Sequence, residues 1–191
     1  MKYIKADDLI IIMEYVNNGS LKAFIEKHKT ENVTMGRITA LQIITQLCSI
    51  VNYLHNTVNI IHRDIKPENI LIRDDPMTTD VNILLIDFEF AVKKKLNNYN
   101  ACGTKRFMAP EMFVRNWRYD EKVDVWALGK TCMEILDVCD NRACDDIRNF
   151  VNNNMLVHDP NARTPVSEIV TASIFNASIF DARIFNDRNP Y

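Results

Sequence analysis

Glycine is scarce in this sequence. The 191 residues hold four, Gly19, Gly36, Gly103 and Gly129, and no GxGxxG can be written from them. A glycine-rich loop that cradles phosphates is therefore excluded within these residues. Cysteine occurs five times, at Cys48, Cys102, Cys132, Cys139 and Cys144, without a CxxC pair. These read as reduced thiols. There is no charge excess: the formal net charge is −2 and the pI about 6.1. Nothing in that balance suggests a nucleic-acid or membrane-surface binder. The one basic run, Lys93-Lys94-Lys95, reads as a solvated loop. Long apolar runs are missing too. The longest early one, residues 9–13, is far too short to cross a membrane, and no cleavable leader is visible. The chain reads as cytoplasmic, with the nucleus as the alternative. Without a secretory signal, the glycosylation patterns at Asn18 and Asn32 carry little meaning.

What is present suits a packed body. Hydrophobic residues make up 47% of the chain, enough for a sizeable core in one domain or one lobe of a two-lobed one. Residues 9–15 are apolar and β-branched and predict a buried strand, broken by Asn17-Asn18-Gly19. Ser20 can cap a helix over 21–29. Ile38, Leu41, Ile44, Leu47, Cys48, Val51 and Leu54 recur at helical spacing, which predicts a long helix over 38–55. Residues 70–72 and 81–86 predict two short strands around a polar loop. Residues 93–104 read as a polar, Asn-rich segment. A strongly apolar stretch at 122–137 predicts a buried helix, and two more helices are expected over 145–157 and 165–172. The tail repeats SIFNA, SIFDA and RIFND at 173–187. A period of five suits neither helix nor strand, so an irregular extension is expected, with a short Ile-Phe docking tail as the alternative.

The stretch IHRDIKPENILI at 61–72 sets Asp64, Lys66 and Asn69 at offsets of two and five. Phosphoryl transfer needs little covalent work from a protein. It needs a nucleoside triphosphate held, its charge neutralised by magnesium, and an acceptor hydroxyl aimed. Asp64 is suited to accept or orient the hydroxyl proton, and Lys66 to balance the moving charge. Asn69 could bind magnesium from the same loop. Asp87, at the end of an apolar strand, is suited to bring a second carboxylate to the metal.

These residues resemble the protein-kinase family. HRDIKPEN at 62–69 is similar to its catalytic loop, DFE at 87–89 to its DFG motif, and CGTKRFMAPE at 102–111 to the end of its activation segment. DVWALG at 124–129 resembles its central buried helix. Arg163 in HDPNART resembles the Arg that pairs with the Glu of APE, here Glu111. LIIIMEYVNNGSL at 9–21 looks like the last N-lobe strand, the hinge and the next helix. The order is right across residues 9–172, which makes chance resemblance negligible.

The resemblance implies a mainly α fold with a few short strands, a kinase-like C-terminal lobe with most of the N-lobe absent. It divides the chain into an N-lobe remnant and hinge at 1–16, a C-lobe at 17–172 and a repeat-bearing tail at 173–191. It implies Asp64, Lys66 and Thr104 as catalytic residues, Asn69 and Asp87 as magnesium ligands, and Met13, Glu14, Val16, Ser20 and Leu71 around ATP. Lys66 and Thr104 favour Ser/Thr acceptors. Arg63 would grip a phosphorylated activation-loop residue, yet between Asp87 and Glu111 the only hydroxyls are Tyr99 and Thr104. Asp124, Trp126, His62 and the Arg163–Glu111 pair read as structural.

Three departures stand out. The phosphate loop and a correctly spaced ATP-anchoring Lys are missing, since Lys5 lies too close to the 9–15 strand. Glu89 replaces the glycine of DFG, where other residues are more restricted. The span from Asp124 to Arg163 is short, with little room for the family's substrate-docking helix. Losing one preorganised charge contact costs about a hundred- to a thousand-fold in rate, so these residues alone should catalyse poorly. Two functions follow: a Ser/Thr kinase that transfers the ATP γ-phosphate to protein when completed by an N-lobe, or an inactive truncated homologue that binds and modulates other kinases. The open-edged strand at 9–13 would suit a second copy or a partner kinase.

Overall fold

Ser20 starts the first helix by accepting a hydrogen bond from the Ala23 amide at 3.2 Å, which satisfies one of the donors a helix start leaves open. The computed structural model describes residues 15, 16, 18–74, 81–94, 101–114 and 118–176. Most of the strand expected at 9–15, and the second and third repeat copies, lie outside the described residues.

Helix α1 runs Leu21–Thr30 and buries Leu21 and Ile25, one turn apart. Helix α2, Arg37–Tyr53, buries Ala40, Ile43, Ile44, Leu47, Cys48 and Val51. Each fully buried aliphatic side chain here is worth roughly 1.5–3 kcal/mol. Ile38, the second residue of the helix, was expected on this apolar face but is 65% exposed. At its other end α2 passes into a π-helical turn, Leu54–Val58. Asn59, left-handed at φ 59°, stops that turn. Asn tolerates this conformation better than most residues.

The turn leads into β1, Ile60–Ile61. Strand β2, Ile70–Asp74, pairs antiparallel with β3, Val81–Leu85, with Ile70 opposite Leu85 and Ile72 opposite Ile83. Strand β4, Val92–Lys93, returns to pair with β1. Lys93 therefore belongs to a strand rather than to the irregular segment expected at 93–104. Lys94 forms a 2.7 Å ion pair with Glu121, so this end of the basic run is not simply solvated.

Helix α3, Lys122–Leu136, is buried on most of its surface and forms the axis of the body. Helix α4, Asn141–Asn154, begins earlier than the expected 145, because the Asp140 side chain caps it by accepting from the Arg142 amide. Helix α5 is one turn, Val166–Ile169, with Pro165 at its N-cap. Helix α6, Ser173–Asn176, takes up the first repeat copy. Its Phe175 is buried and meets Phe150 edge-on at 5.3 Å, so the core reaches into that copy.

The body is thus helix-rich, with two-stranded sheets and no closed sheet among the described residues. One large apolar cluster joins α1, α2, α3, α4 and the β2–β3 pair. A smaller one holds Ile61, Met108, Ala109, Met112, Tyr119 and Val123. All five cysteines are free thiols. Burial pushes Cys48 up to about 12 and Cys132 well above the usual thiol range. No helix among the described residues is long and apolar enough to cross a membrane.

Candidate functional site

Between β1 and β2 the chain turns through His62–Lys66 and a 3-10 turn, Pro67–Asn69. Asp124, in the first turn of α3 and 0% exposed, holds that turn in place. Its Oδ2 accepts from the His62 amide at 2.7 Å and faces His55 Nε2 at 2.8 Å. Its Oδ1 accepts from the Arg63 amide at 2.8 Å. A buried carboxylate without such partners would be prohibitive. Arg63 sits at φ 69°, a left-handed conformation that is costly for a long side chain and persists only where the surroundings impose it.

Asp64 is 3% exposed. Its Oδ2 accepts from Lys66 Nζ at 2.7 Å and from the Asn69 amide nitrogen at 3.0 Å. Its Oδ1 accepts from the Thr104 amide at 2.9 Å and the Thr104 hydroxyl at 2.8 Å. Lys66 Nζ reaches Thr104 Oγ1 as well, at 2.8 Å. Burial alone would raise the Asp64 pKa. The hydrogen bonds from Lys66 and Thr104 outweigh it and hold the carboxyl below its ordinary range. The structure thus brings together Asp64, Lys66, Asn69 and Thr104. Gly103 makes this approach feasible: at φ 90°, a Cβ there would lie 2.3 Å from the Arg63 carbonyl oxygen.

Asn69 donates from its side-chain amide to Asp64 at both the backbone oxygen, 2.9 Å, and Oδ2. Its backbone oxygen accepts from the Ile86 amide at 2.9 Å, which brings the exposed Asp87 alongside. Asn69 Oδ1 and the Asp87 carboxylate are hard oxygen donors of the kind magnesium prefers. Among the described residues no cluster of three or more His, Cys, Asp or Glu is built to hold a metal. Two such oxygens suit an ion held through one or two protein groups plus substrate phosphates. Asp87 is itself left-handed at φ 66°. Glu89 is not among the residues of positive φ, so the turn places no glycine-only demand on it.

His62 is fully buried. Its Nδ1 accepts from the Asp64 amide at 3.3 Å, its Nε2 faces the Ile86 oxygen at 3.2 Å, and its ring lies 4.8 Å from that of Phe88. Burial lowers its pKa, against the opposing pull of Asp124 and of the Ile86 carbonyl. A neutral packed ring is the result. Leu71 forms a β-bridge with Ser20, and the Ile72 amide donates to the Gly19 oxygen at 3.0 Å, so these two expected ATP-side residues adjoin. Val16 is half-buried nearby in sequence, while Met13 and Glu14 lie outside the described residues.

Sequence reasoning missed two side chains that hold the loop. His55 reaches Asp124 only because the π turn and β1 fold the chain back. Tyr119 donates nothing to a recognisable motif, yet it accepts from Arg63 Nη1 at 3.0 Å. Its only sequence signal is an aromatic placed just before the start of α3.

Comparison with known proteins adds to this geometry. The family model described as protein kinase domain matches residues 2–146. The serine/threonine-protein kinase CLA4 of Eremothecium gossypii is 37% identical over 142 residues, 71% of this chain and 17% of that protein. The putative serine/threonine-protein kinase/receptor R818 of Acanthamoeba polyphaga mimivirus is 40% identical over 138 residues, 70% of this chain and 8% of that protein. An Aurora kinase of Eremothecium gossypii is 38% identical over 128 residues, 66% of this chain and 32% of that protein. The chain thus spans under a third of the length of each of these relatives.

Proposed function

This chain belongs to the protein kinase family, and from that membership we propose that it is the catalytic-loop lobe of a Ser/Thr protein kinase, transferring the ATP γ-phosphate to protein hydroxyls when an N-lobe completes the nucleotide site. The observation that carries this reading is the closed set of hydrogen bonds joining Asp64, Lys66, Asn69 and Thr104. Asp64, kept ionised by its partners, orients the acceptor hydroxyl and takes up its proton. Lys66 sits within reach of the same carboxylate and balances charge on the transferring group. Thr104 fixes both. Asn69 and Asp87 would hold magnesium, which when bound neutralises the phosphate oxygens. Val16, Ser20 and Leu71, with Met13 and Glu14, would line the adenine side.

A second reading has its own support. Phe88, beside the metal-side carboxylate, is 44% exposed. A lobe that presents such an apolar side chain could bind a kinase rather than act as one, modulating it through the exposed site and the 9–13 segment.

Transfer of labelled phosphate from magnesium-ATP to a generic Ser/Thr protein separates the two. The chain is assayed alone and with a supplied kinase N-lobe. Transfer in the supplied form, reduced at least about a hundred-fold by Asp64→Asn, is the expected result. No transfer in either form, or transfer indifferent to Asp64→Asn, would overturn the catalytic reading.

A further inference from the structure

Arg63 carries a guanidinium that, among the described residues, no carboxylate meets. Its Nε donates to the Phe90 carbonyl oxygen at 2.6 Å and its Nη1 to the Tyr119 hydroxyl at 3.0 Å. Tyr119 is 8% exposed, packed with Ile61, Met108 and Met112 in the smaller apolar cluster. Cys102 packs against the same cluster. Cys102 opens the segment that docks on the catalytic loop. Gly103 lies against the Arg63 carbonyl, and Thr104 donates twice to Asp64 Oδ1. Tyr119 therefore meets the catalytic loop at Arg63 through its hydroxyl and, through its cluster, the segment that leads to Thr104.

We propose that Tyr119 is a positioning residue for phosphoryl transfer: its hydroxyl holds Arg63, and its ring belongs to the cluster that Cys102 packs against, so that segment 102–104 stays seated on Asp64 without any phosphorylated residue. This rests on the role given above to Asp64 and Thr104. A phosphate would bring Arg63 close to two negative charges and could be added or removed. A phenol offers a neutral acceptor that is always present. The sequence agrees with that economy. Between Asp87 and Glu111 the only hydroxyls are Tyr99 and Thr104, and that of Thr104 is already committed to Asp64 and Lys66, which leaves Tyr99 as the one group that phosphatase treatment has to test. The ring, buried by the smaller cluster, fixes the height of the hydroxyl. Arg63, strained at φ 69° and pinned by Asp124 through its amide, fixes the other end.

Tyr119→Phe keeps the ring and removes the hydroxyl. In the full chain, amide hydrogen exchange at Thr104 is expected to quicken about tenfold, the size of one lost hydrogen bond. Amides of α3 should keep their protection. In the form completed by an N-lobe, kcat should fall by a similar factor with the KM for ATP unchanged. Phosphatase treatment of the unsubstituted protein should leave both readouts as they were. Unchanged exchange at Thr104, loss of protection throughout α3, or sensitivity to phosphatase would each overturn the proposal. Selective loss of Thr104 protection in a protein that shows no turnover would support the clamp and overturn the phosphotransfer reading alone.

Discussion

Arg163 and Glu111 form a two-pronged ion pair closed off from water. Nη1 meets Oε1 at 2.6 Å and Nη2 meets Oε2 at 3.1 Å, with the side chains 1% and 5% exposed as residues. Nη1 also donates to the Lys122 oxygen at 2.8 Å and Nε to the Val157 oxygen at 3.1 Å. The guanidinium carbon lies 5.2 Å from the centre of a Trp126 ring. The 3-10 turn Pro110–Phe113, the start of α3 and the loop before α5 thus meet at one side chain.

Arg163→Ala should therefore destabilise the protein by about 3–5 kcal/mol, because it leaves the Glu111 carboxylate buried and unpaired. Urea unfolding measures the loss. The double variant Arg163→Met with Glu111→Gln should recover much of it, since neither residue then carries an uncompensated charge. A loss below about 1 kcal/mol for the single change would mean that the pair behaves as a surface one.

Gly129→Ala tests the packing of α3. An alanine in a helix interior normally stabilises relative to glycine by about 1 kcal/mol. Here the added Cβ would lie 2.8 Å from Met155 Cβ and 2.9 Å from Leu156 Cδ2. The Leu156 tip can rotate away, but Met155 Cβ moves only with its backbone. Overpacking of about 1–3 kcal/mol should win, and the thermal midpoint should drop. A rise would show that the chain just after α4 yields easily.

Stability should fall as the pH is lowered from 7.5 to 5.5. His62 has a folded pKa below its ordinary value, mainly through burial. Below the unfolded imidazole value of about 6.5 the unfolded chain takes up a proton that the folded one refuses, so the equilibrium shifts toward unfolding. Asp64, also lowered, adds its share only when the pH drops below the ordinary carboxylate range. Urea midpoints across this span give the slope. His62→Gln should flatten it between pH 7.5 and 5.5, whatever its effect on absolute stability. An equally steep slope in that variant would assign the effect elsewhere.

Local pattern made much of this legible. Ser20 announced the start of α1, helical spacing found α2, a strongly apolar stretch found α3, and short runs on either side of a polar loop found β2 and β3. Pairing over long range was harder to see. Strands β1 and β4 are two residues each, too short for any periodicity, and they exist because the turn after α2 aims one at the other. The start of α4 was missed because Asp140 and Asn141 look like loop residues until the Asp140 cap is seen. At the site, the spacing in HRDIKPEN already implied that Asp64, Lys66 and Asn69 act together. Their link to Thr104 came from the family resemblance, and Tyr119 came only from the structure, because no local rule brings residue 119 to Arg63. The left-handed turn falls on Asp87, and only the dihedral angles reveal that.

Asp124 grips the amides of two consecutive residues, His62 and Arg63, one on each carboxylate oxygen. That makes the start of α3 a ruler for the loop at 62–69. Side chains along the loop can change without disturbing the grip, because it reads only backbone. A residue inserted or removed between Ile61 and Asp64 would present the wrong amides, and every offset that follows, to Lys66 and to Asn69, would be measured from a false zero.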